Sequence, residues 1–318
     1  MGLFGRFGNN SGASKENQKR QREQAEQTLR ALESGQIPQY VRDRIEAREA
    51  QAIPWTSDLG VSDFLLLKQY KLQPLGMVMG SSIYHIGYTA RSFSGSWQSG
   101  FIPSIEQALL SGRELALQRM KQEAQLMGAH AVVGVQLKNH IPDVNSHETE
   151  FTAFGTAVVL EGKEPPSEPI LCTVSASDFV KLIHSGSVPI SVGLGVAAFY
   201  QYTTRQDNWQ SRSWSNQEML TYTDSVYETR HAAMSKLRQQ ISQLGGTGIL
   251  AHETNLGVYE VEVERGENDE RTDHILEFIA TGTIVSSVHY EKYPHIETVL
   301  SLNKQKPRPQ YGRRGTGV

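Results

Sequence analysis

Two stretches of the chain carry the same helical pattern of apolar residues, 117 positions apart. In each, apolar residues recur at steps of three and four, the spacing of one face of an α-helix. The spacing predicts helices over about 101–127 and 216–244. Both patterns end at glycine, the residue that most often terminates a helix. The first set is Ile102, Ile105, Leu109, Ala116, Leu117, Met120, Ala124, Met127 and Gly128, and the second is Met219, Tyr222, Val226, Ala233, Met234, Leu237, Ile241, Leu244 and Gly245.

Strand patterns flank both predicted helices in the same order. One β segment precedes each helix and two follow it, so each half reads as a β-α-β-β unit of about 110 residues behind a short leading helix. The predicted fold class is α+β, with two tandem units of two layers each. The predicted strands lie at about 75–90, 130–139 and 149–161 in the first half and at about 187–203, 247–264 and 274–288 in the second.

The repeat divides the chain into five predicted segments. A glycine-rich start and a polar helix at about 14–33 precede the first unit, and a proline-rich linker separates the units. The C-terminal residues are basic and rich in proline and glycine, a composition typical of a flexible tail. The segments are 1–60 for the helical extension, 61–162 for the first unit, 163–174 for the linker, 175–290 for the second unit and 291–318 for the C-terminal segment and tail.

The predicted unit leaves apolar surface uncovered, because one helix on a three-stranded sheet covers only one face. The strands are apolar on both alternating sets of positions, at 77–79 and again at 157–160. Continuous apolar runs are typical of strands that are buried on both faces. Open sheet edges also need a covering element. We therefore expect the units to pair with each other, with other chains, or both.

Composition excludes several classes of protein. The 318 residues carry a formal net charge of −3, which gives no electrostatic basis for nucleic-acid binding. The single cysteine, Cys172, excludes an intramolecular disulfide and a cysteine-pair metal site. No apolar run approaches the ~18 residues of a membrane span. We expect a cytoplasmic protein that does not contact membranes.

Two short motifs make the chain recognisable. Residues 128–135 read GAHAVVGV at the end of the first helix, and residues 155–158 read GTAV in the closing strand. Together they resemble the YbjQ-like family, whose name refers to heavy-metal binding. The second half is degenerate and keeps only the second motif, as GTIV at 282–285. The resemblance implies a two-layer β-α-β-β fold, like the sandwich of a dodecin subunit, and self-assembly as a pentameric ring.

Metal binding, which the family name implies, needs several convergent nitrogen or oxygen ligands. The densest set of such side chains in the first unit surrounds the hairpin between its last two strands. The equivalent hairpin in the second unit is acidic, and a solvated hairpin tip is the simpler interpretation of both. The candidate ligands for a divalent metal ion are His140, Asp143, His147 and Glu148.

A second candidate site lies between the first strand and the long helix of each unit. Both connecting loops hold an arginine followed by a tryptophan. Such a pair is suited to an anion near a helix N terminus or to a stacked ring, and the alternative is a loop that packs on a neighbouring subunit. The residues are Arg91, Trp97, Arg205 and Trp209.

The sequence contains no nucleotide-binding, zinc-protease or serine-hydrolase motif, so we expect no enzymatic activity. The expected function is that of a homo-oligomeric binding protein, with a divalent metal ion as the ligand. One alternative is a ring-shaped scaffold that displays its N-terminal helices and basic tails to a protein partner. Another is binding of a small molecule or an anion at the arginine and tryptophan loops.

Overall fold

The computed structural model describes residues 11–86, 98–140, 148–211, 216–264 and 270–287. Over these residues the fold is mixed α and β, as predicted, and no helix among them is both long and apolar enough to span a membrane. The first half contains α1 (Ser11–Glu33), α2 (Gln39–Glu49), α3 (Val61–Gln69), β1 (Leu72–His85), β2 (Gly100–Phe101), α4 (Pro103–Leu126), β3 (Ala131–His140) and β4 (Glu148–Leu160). The second half contains β5 (Ile170–Leu171), α5 (Ala176–His184), β6 (Ser187–Gln201), α6 (Arg205–Ser211), α7 (Leu220–Gln243), β7 (Gly248–Glu264) and β8 (Glu270–Ser287).

The two sheets arrange their three long strands in the same way. The strand order is β1-β4-β3-β5 in the first sheet and β2-β6-β8-β7 in the second. In each half, the last strand lies in the middle and pairs antiparallel with the other two. The register agrees as well, since Gly80 pairs with Ala153 and Gly195 pairs with Ala280.

Each long helix crosses the first strand of its own half at a glycine. A Cβ atom on Gly80 would lie 2.5 Å from the backbone nitrogen of Met120 and closer still to the carbonyl oxygen of Ala116. A Cβ atom on Gly195 would lie 3.0 Å from the Cβ of Leu237 on α7. The backbones approach too closely for any side chain at either position, which explains a glycine inside each strand.

Both long helices end where their glycines predict. Gly128 and Gly245 have φ of +68° and +69°, in the left-handed region that glycine adopts without steric cost. At the end of α4 the Ala129 N–H donates to the carbonyl of Ala124, and α7 ends with the equivalent bond. This is the Schellman arrangement, which satisfies carbonyl groups of the last turn.

Helix α4 lies between the two sheets. It packs on β1 and β4 of the first sheet and also on β6 of the second, so one apolar core runs from sheet to sheet through the helix. Helix α7 covers the opposite face of the second sheet. Strand β6 is therefore buried on both faces, with Leu194 in the α4 core and Ala197 in the α7 core.

The first sheet is covered less completely. Helices α3 and α5 pack together and join Val133 and Val158 in a second core at one end of its outer face. Along the rest of that face, β1 exposes Met77, Met79 and Ile83, at 39%, 49% and 67% of their surface. The equivalent face of the second sheet is the one that α4 buries.

Two segments that were expected to be irregular carry regular structure. The linker contributes β5, which pairs parallel with β3. The second arginine and tryptophan loop forms the short helix α6. Its first turn is closed by a capping box, because Thr204 Oγ1 accepts the Asp207 N–H at 3.1 Å and Asp207 accepts the Thr204 N–H at 2.9 Å.

Candidate functional site

Two of the four expected metal ligands lie in the described part of the chain. His140 ends β3 and Glu148 begins β4, and both are exposed, whereas Asp143 and His147 lie outside the described residues. The register places His140 opposite Glu150, and residues two apart in a strand share a face. Within the described ranges, no group of three histidine, cysteine or acidic side chains is arranged to hold a metal ion.

Strand β1 adds a histidine to the same end of the first sheet. His85 lies opposite Glu148 in the β1–β4 register. Since Glu148 and Glu150 share a face, a histidine from each flanking strand stands beside two carboxylates of the central strand. These side chains lie on the outer face of the sheet, the face that exposes Met79 and Ile83.

The arginine and tryptophan pair of the second half lies on the surface. Arg205 and Trp209 stand one turn apart on α6, and the tryptophan side chain is 76% exposed. Arg91 and Trp97 lie outside the described residues. An exposed pair on a short helix is better suited to contact with a partner than to an enclosed ligand, since ligand pockets bury most of their contents.

One of the contacts between the two halves is a strand-edge contact, which the sequence analysis did not predict. Strand β2 pairs with β6, and the rings of Phe101 and Phe199 meet edge-on with their centroids 5.1 Å apart. The Ile102 N–H donates to the Ala198 carbonyl at 2.9 Å, and the Ala198 N–H donates to Glu106 at 3.2 Å. The start of α4 thus closes the free edge of β6.

Side chains of the long helix also cap the edge of the first strand in each half, β1 in the first and β6 in the second. In each half, one side chain of the long helix accepts a strand N–H, and a basic side chain one turn earlier donates to a strand carbonyl. Such capping blocks uncontrolled pairing at the edge. The bonds are Met79 N–H to Glu123 (3.2 Å) and Arg119 to the Ser81 carbonyl (2.6 Å) in the first half, and Leu194 N–H to Gln240 (2.8 Å) and Lys236 to the Val196 carbonyl (3.1 Å) in the second.

Buried charges lie where α4 meets the second sheet. Arg113 on α4 and Glu277 on β8 are 3% and 1% exposed. Burial raises the pKa of Tyr259, the Glu277 carboxylate beside its hydroxyl raises it further, and the charge of Arg113 opposes both effects. The Arg113 guanidinium also lies 4.7 Å from the centre of the Phe151 ring. The arginine therefore contacts the first sheet and acts electrostatically on the second.

A second buried carboxylate ties the end of β6 to β8. Asp273 is fully buried; it accepts the Thr203 N–H at 2.8 Å and the hydroxyl of Tyr200. Arg271 donates to the Thr203 carbonyl at 3.1 Å. Because hydrogen bonds within the fold occupy these groups, the cluster holds the ends of the strands in place.

The helical extension is fastened to the first half by charged side chains. Arg44 on α2 pairs with Glu123, the residue that caps β1, and Arg48 donates to the Leu75 carbonyl. Gln122 donates to the carbonyl of Gly35 at 3.1 Å. A cavity of about 200 Å³ lies between this corner and β1. The extension therefore stands directly beside the capped edge of the first sheet.

The cysteine is protected from reaction. Cys172 is fully buried, and burial raises the pKa of its thiol to about 11 despite hydrogen bonds from its surroundings, among them one with Thr283. The thiolate is the reactive form of cysteine, so this residue is not poised as a nucleophile.

The fold and these contacts define an α+β protein that closes its sheet edges with helix side chains. Residues 67–161 match the family described as "Putative heavy-metal-binding". A UPF0145 protein of Methanococcus maripaludis is 39% identical over 89 residues, which are 27% of this chain and 78% of that protein. A UPF0145 protein of Thermus thermophilus is 36% identical over 91 residues, which are 28% of this chain and 78% of that protein. The chain belongs to the YbjQ-like family.

A longer match extends beyond the first sheet. An encapsulin nanocompartment protein of Mycobacterium tuberculosis is 28% identical over 265 residues, which are 80% of this chain and 93% of that protein. A match of this length includes parts of both halves. No solved structure matches the chain at a significant level.

Proposed function

We propose that the chain is a non-enzymatic structural protein that assembles with copies of itself and is built from two tandem copies of one YbjQ-like unit. The observation that carries the proposal is the unequal covering of two equivalent sheet faces. In the second sheet, helix α4 buries the face that lies away from that sheet's own long helix, α7. The same face of the first sheet exposes Met79 and Ile83.

The tandem arrangement is supported by backbone features that the halves share. The halves share the order of their three long strands, the register at Gly80 and Gly195, and the capping of the strand edge by the long helix. The second half retains these features although its family motifs are degenerate. Each unit is then a two-layer β-α-β-β sandwich of the kind that a dodecin subunit forms.

Assembly is supported by the surface that the first sheet leaves open. Exposed apolar side chains beside an edge strand are a liability that natural proteins cover. The mycobacterial relative is named an encapsulin nanocompartment protein, which also favours self-association of this chain. The assembled form that we propose is a closed ring of identical chains. The resemblance implies a pentameric ring for single units, and we propose five chains, each with two units, for this protein.

Native mass spectrometry and mass photometry of the full chain test the proposal. The expected result is a single species whose mass is a whole-number multiple of 35.4 kDa, five-fold for a pentamer. Negative-stain electron microscopy then separates a closed ring from a filament or a larger shell. A mass of one chain at micromolar concentration would overturn the proposal.

Metal binding is a second candidate function. It is favoured by the description of the matching family. His85, His140, Glu148 and Glu150 share one sheet face but do not converge as a metal site in the described residues, so zinc binding would require these side chains to move together. Titration calorimetry with zinc should show binding that weakens in His140→Ala and persists in His231→Ala, a change at an exposed histidine on α7. Absence of binding heat with zinc at micromolar protein would end this candidate.

A further inference from the structure

We infer that the outer face of the first sheet receives the start of α7 from a second copy of the chain, just as the second sheet receives the start of α4 within one chain. The inference rests on the proposed self-assembly and names the two surfaces that meet. The template is the internal contact between the start of α4 and β6. The equivalents of its two partners, the start of α7 and strand β1, both lie on the surface of the chain.

The receiving surface follows from the register of the two sheets. Ala198, the residue that Ile102 contacts through its backbone, pairs with Glu277 across β6 and β8. Ile83 pairs with Glu150 in the same way across β1 and β4. In an antiparallel ladder this register sets which backbone groups point outward, so the N–H and carbonyl of Ile83 face the open edge of β1.

The inserting element follows from the helical repeat. Ile102 begins the segment that docks on β6, and its counterpart 117 positions later is Met219, at the N terminus of α7. Beside it, Leu220 and Tyr227 expose 70% and 63% of their surface. Large exposed apolar side chains at one helix end are typical of an interaction surface. Helix α7 thus covers its own sheet and keeps an apolar side for a neighbour.

Charge complementarity points to the same pairing. Arg113 and Glu277 lie buried at the internal contact, where both act on Tyr259. The counterpart of Arg113 is Arg230, which is exposed on α7, and the counterpart of Glu277 is Glu150, which is partly exposed on the first sheet. Docking brings the guanidinium of one chain to the carboxylate of the next, where removal from water strengthens their interaction.

The contact joins unlike surfaces, so it is head-to-tail. Each chain offers one α7 start and one open first-sheet face, and every added chain leaves one of each unfilled. Head-to-tail contacts of this kind generate rings when the rotation closes and filaments when it does not. A ring is the form in which both surfaces of every chain are filled.

Engineered disulfides test the contact in the full chain. Ile83→Cys with Met219→Cys should form a bond between chains under oxidised glutathione, giving a ladder of covalent dimers, trimers and higher species on a non-reducing gel. The matched control is Ala198→Cys with Ile102→Cys, which reproduces the internal contact and should form a bond within one chain. Either single cysteine should give no ladder, and the native Cys172 is buried.

Charge reversal gives a second measurement that does not depend on cysteine. Arg230→Glu and Glu150→Arg should each raise the dissociation constant of the assembly at least about tenfold, and the double variant should restore it. Arg238→Glu is the matched control, because its counterpart Lys121 pairs with Glu168 of the linker rather than with the second sheet. Circular dichroism of each variant checks that the fold is retained.

The outcomes separate this inference from the proposal on which it rests. Assembly by mass without the bond between positions 83 and 219, or without recovery in the charge-reversed double variant, overturns the inference alone. A wild-type chain that remains monomeric overturns self-assembly itself.

Discussion

At the scale of single residues, close approach of the backbone restricts two strand positions to glycine. Gly80 and Gly195 lie where a strand passes directly beneath a long helix, and in both places backbone atoms of the helix occupy the space of a side chain. Backbone atoms cannot rotate away as a side-chain end can, so relief requires the helix to move off the sheet. These two glycines therefore set the spacing between the layers.

Gly80→Ala should lower the free energy of unfolding by about 1–3 kcal/mol, the usual cost of overpacking a closely packed site. Urea denaturation followed by circular dichroism measures the change. Gly248→Ala is the matched control, because a Cβ there meets nothing within 4 Å. Equal stability of the two variants would contradict the close approach at Gly80.

Cys172 should resist thiol reagents in the folded protein. Its pKa of about 11 and its burial leave little thiolate near neutral pH, so Ellman's reagent at pH 8 should react only after guanidinium unfolds the chain. The folded pKa lies above the unfolded value of about 8.5, so this group's contribution to stability is lost as the pH rises from about 9 towards 11. Rapid labelling of the native protein would contradict this account.

At the scale of the elements, the periodic spacing of apolar residues was enough to predict most of the helices and strands. The long helices and strands appear within a few residues of where apolar spacing places them, and Gly128 and Gly245 end their helices as predicted. Strand β2 was not predicted, because a strand of two residues is too short to show an alternating pattern. Helix α6 was missed although Thr204 and Asp207 form a capping box, a signal that was present in the sequence.

The candidate sites were harder to predict from the sequence, because they depend on contacts between residues that are far apart in the chain. His140 and Glu148 lie on one sheet face, as the alternation of side chains along paired strands predicts. His85 lies beside them in the sheet but is distant in the sequence, on β1. Arg113 and Glu277 resemble solvated charges in the sequence. They are buried only because the second sheet packs on α4, and a repeat comparison alone does not show which unit covers the other.

The extension should loosen when its anchor on α4 is removed. Glu123 pairs with Arg44 of α2 and accepts the Met79 N–H, so Glu123→Ala leaves a charge and an N–H without their partner. Hydrogen exchange should become faster across Gln39–Glu49 and at Met79. Gln240→Ala, the equivalent change in the second half, should affect β6 and leave α2 unchanged. Unaltered exchange in α2 would show that Glu123 does not hold it.

At the scale of the whole molecule, the proposed tandem units restrict the size of the proposed ring. A ring in which every chain contributes both units contains an even number of units, so a ring of five units cannot form from whole chains. A pentameric ring of this protein would therefore alternate first and second units, ten in all. Half of its contacts would be the internal one, already made within each chain, and half would be the contact between chains.

Because only the contact between chains depends on association, a substitution on the receiving face should separate assembly from folding. Ile83→Lys should leave the thermal midpoint of a single chain nearly unchanged, since this side chain is 67% exposed, yet it places a charge where the next chain would bury it. Sedimentation velocity should then show monomers at concentrations where the wild type assembles. Val61→Lys, at a residue 78% exposed on α3, should assemble normally. If Ile83→Lys assembles as well as Val61→Lys does, the chains meet through some other surface.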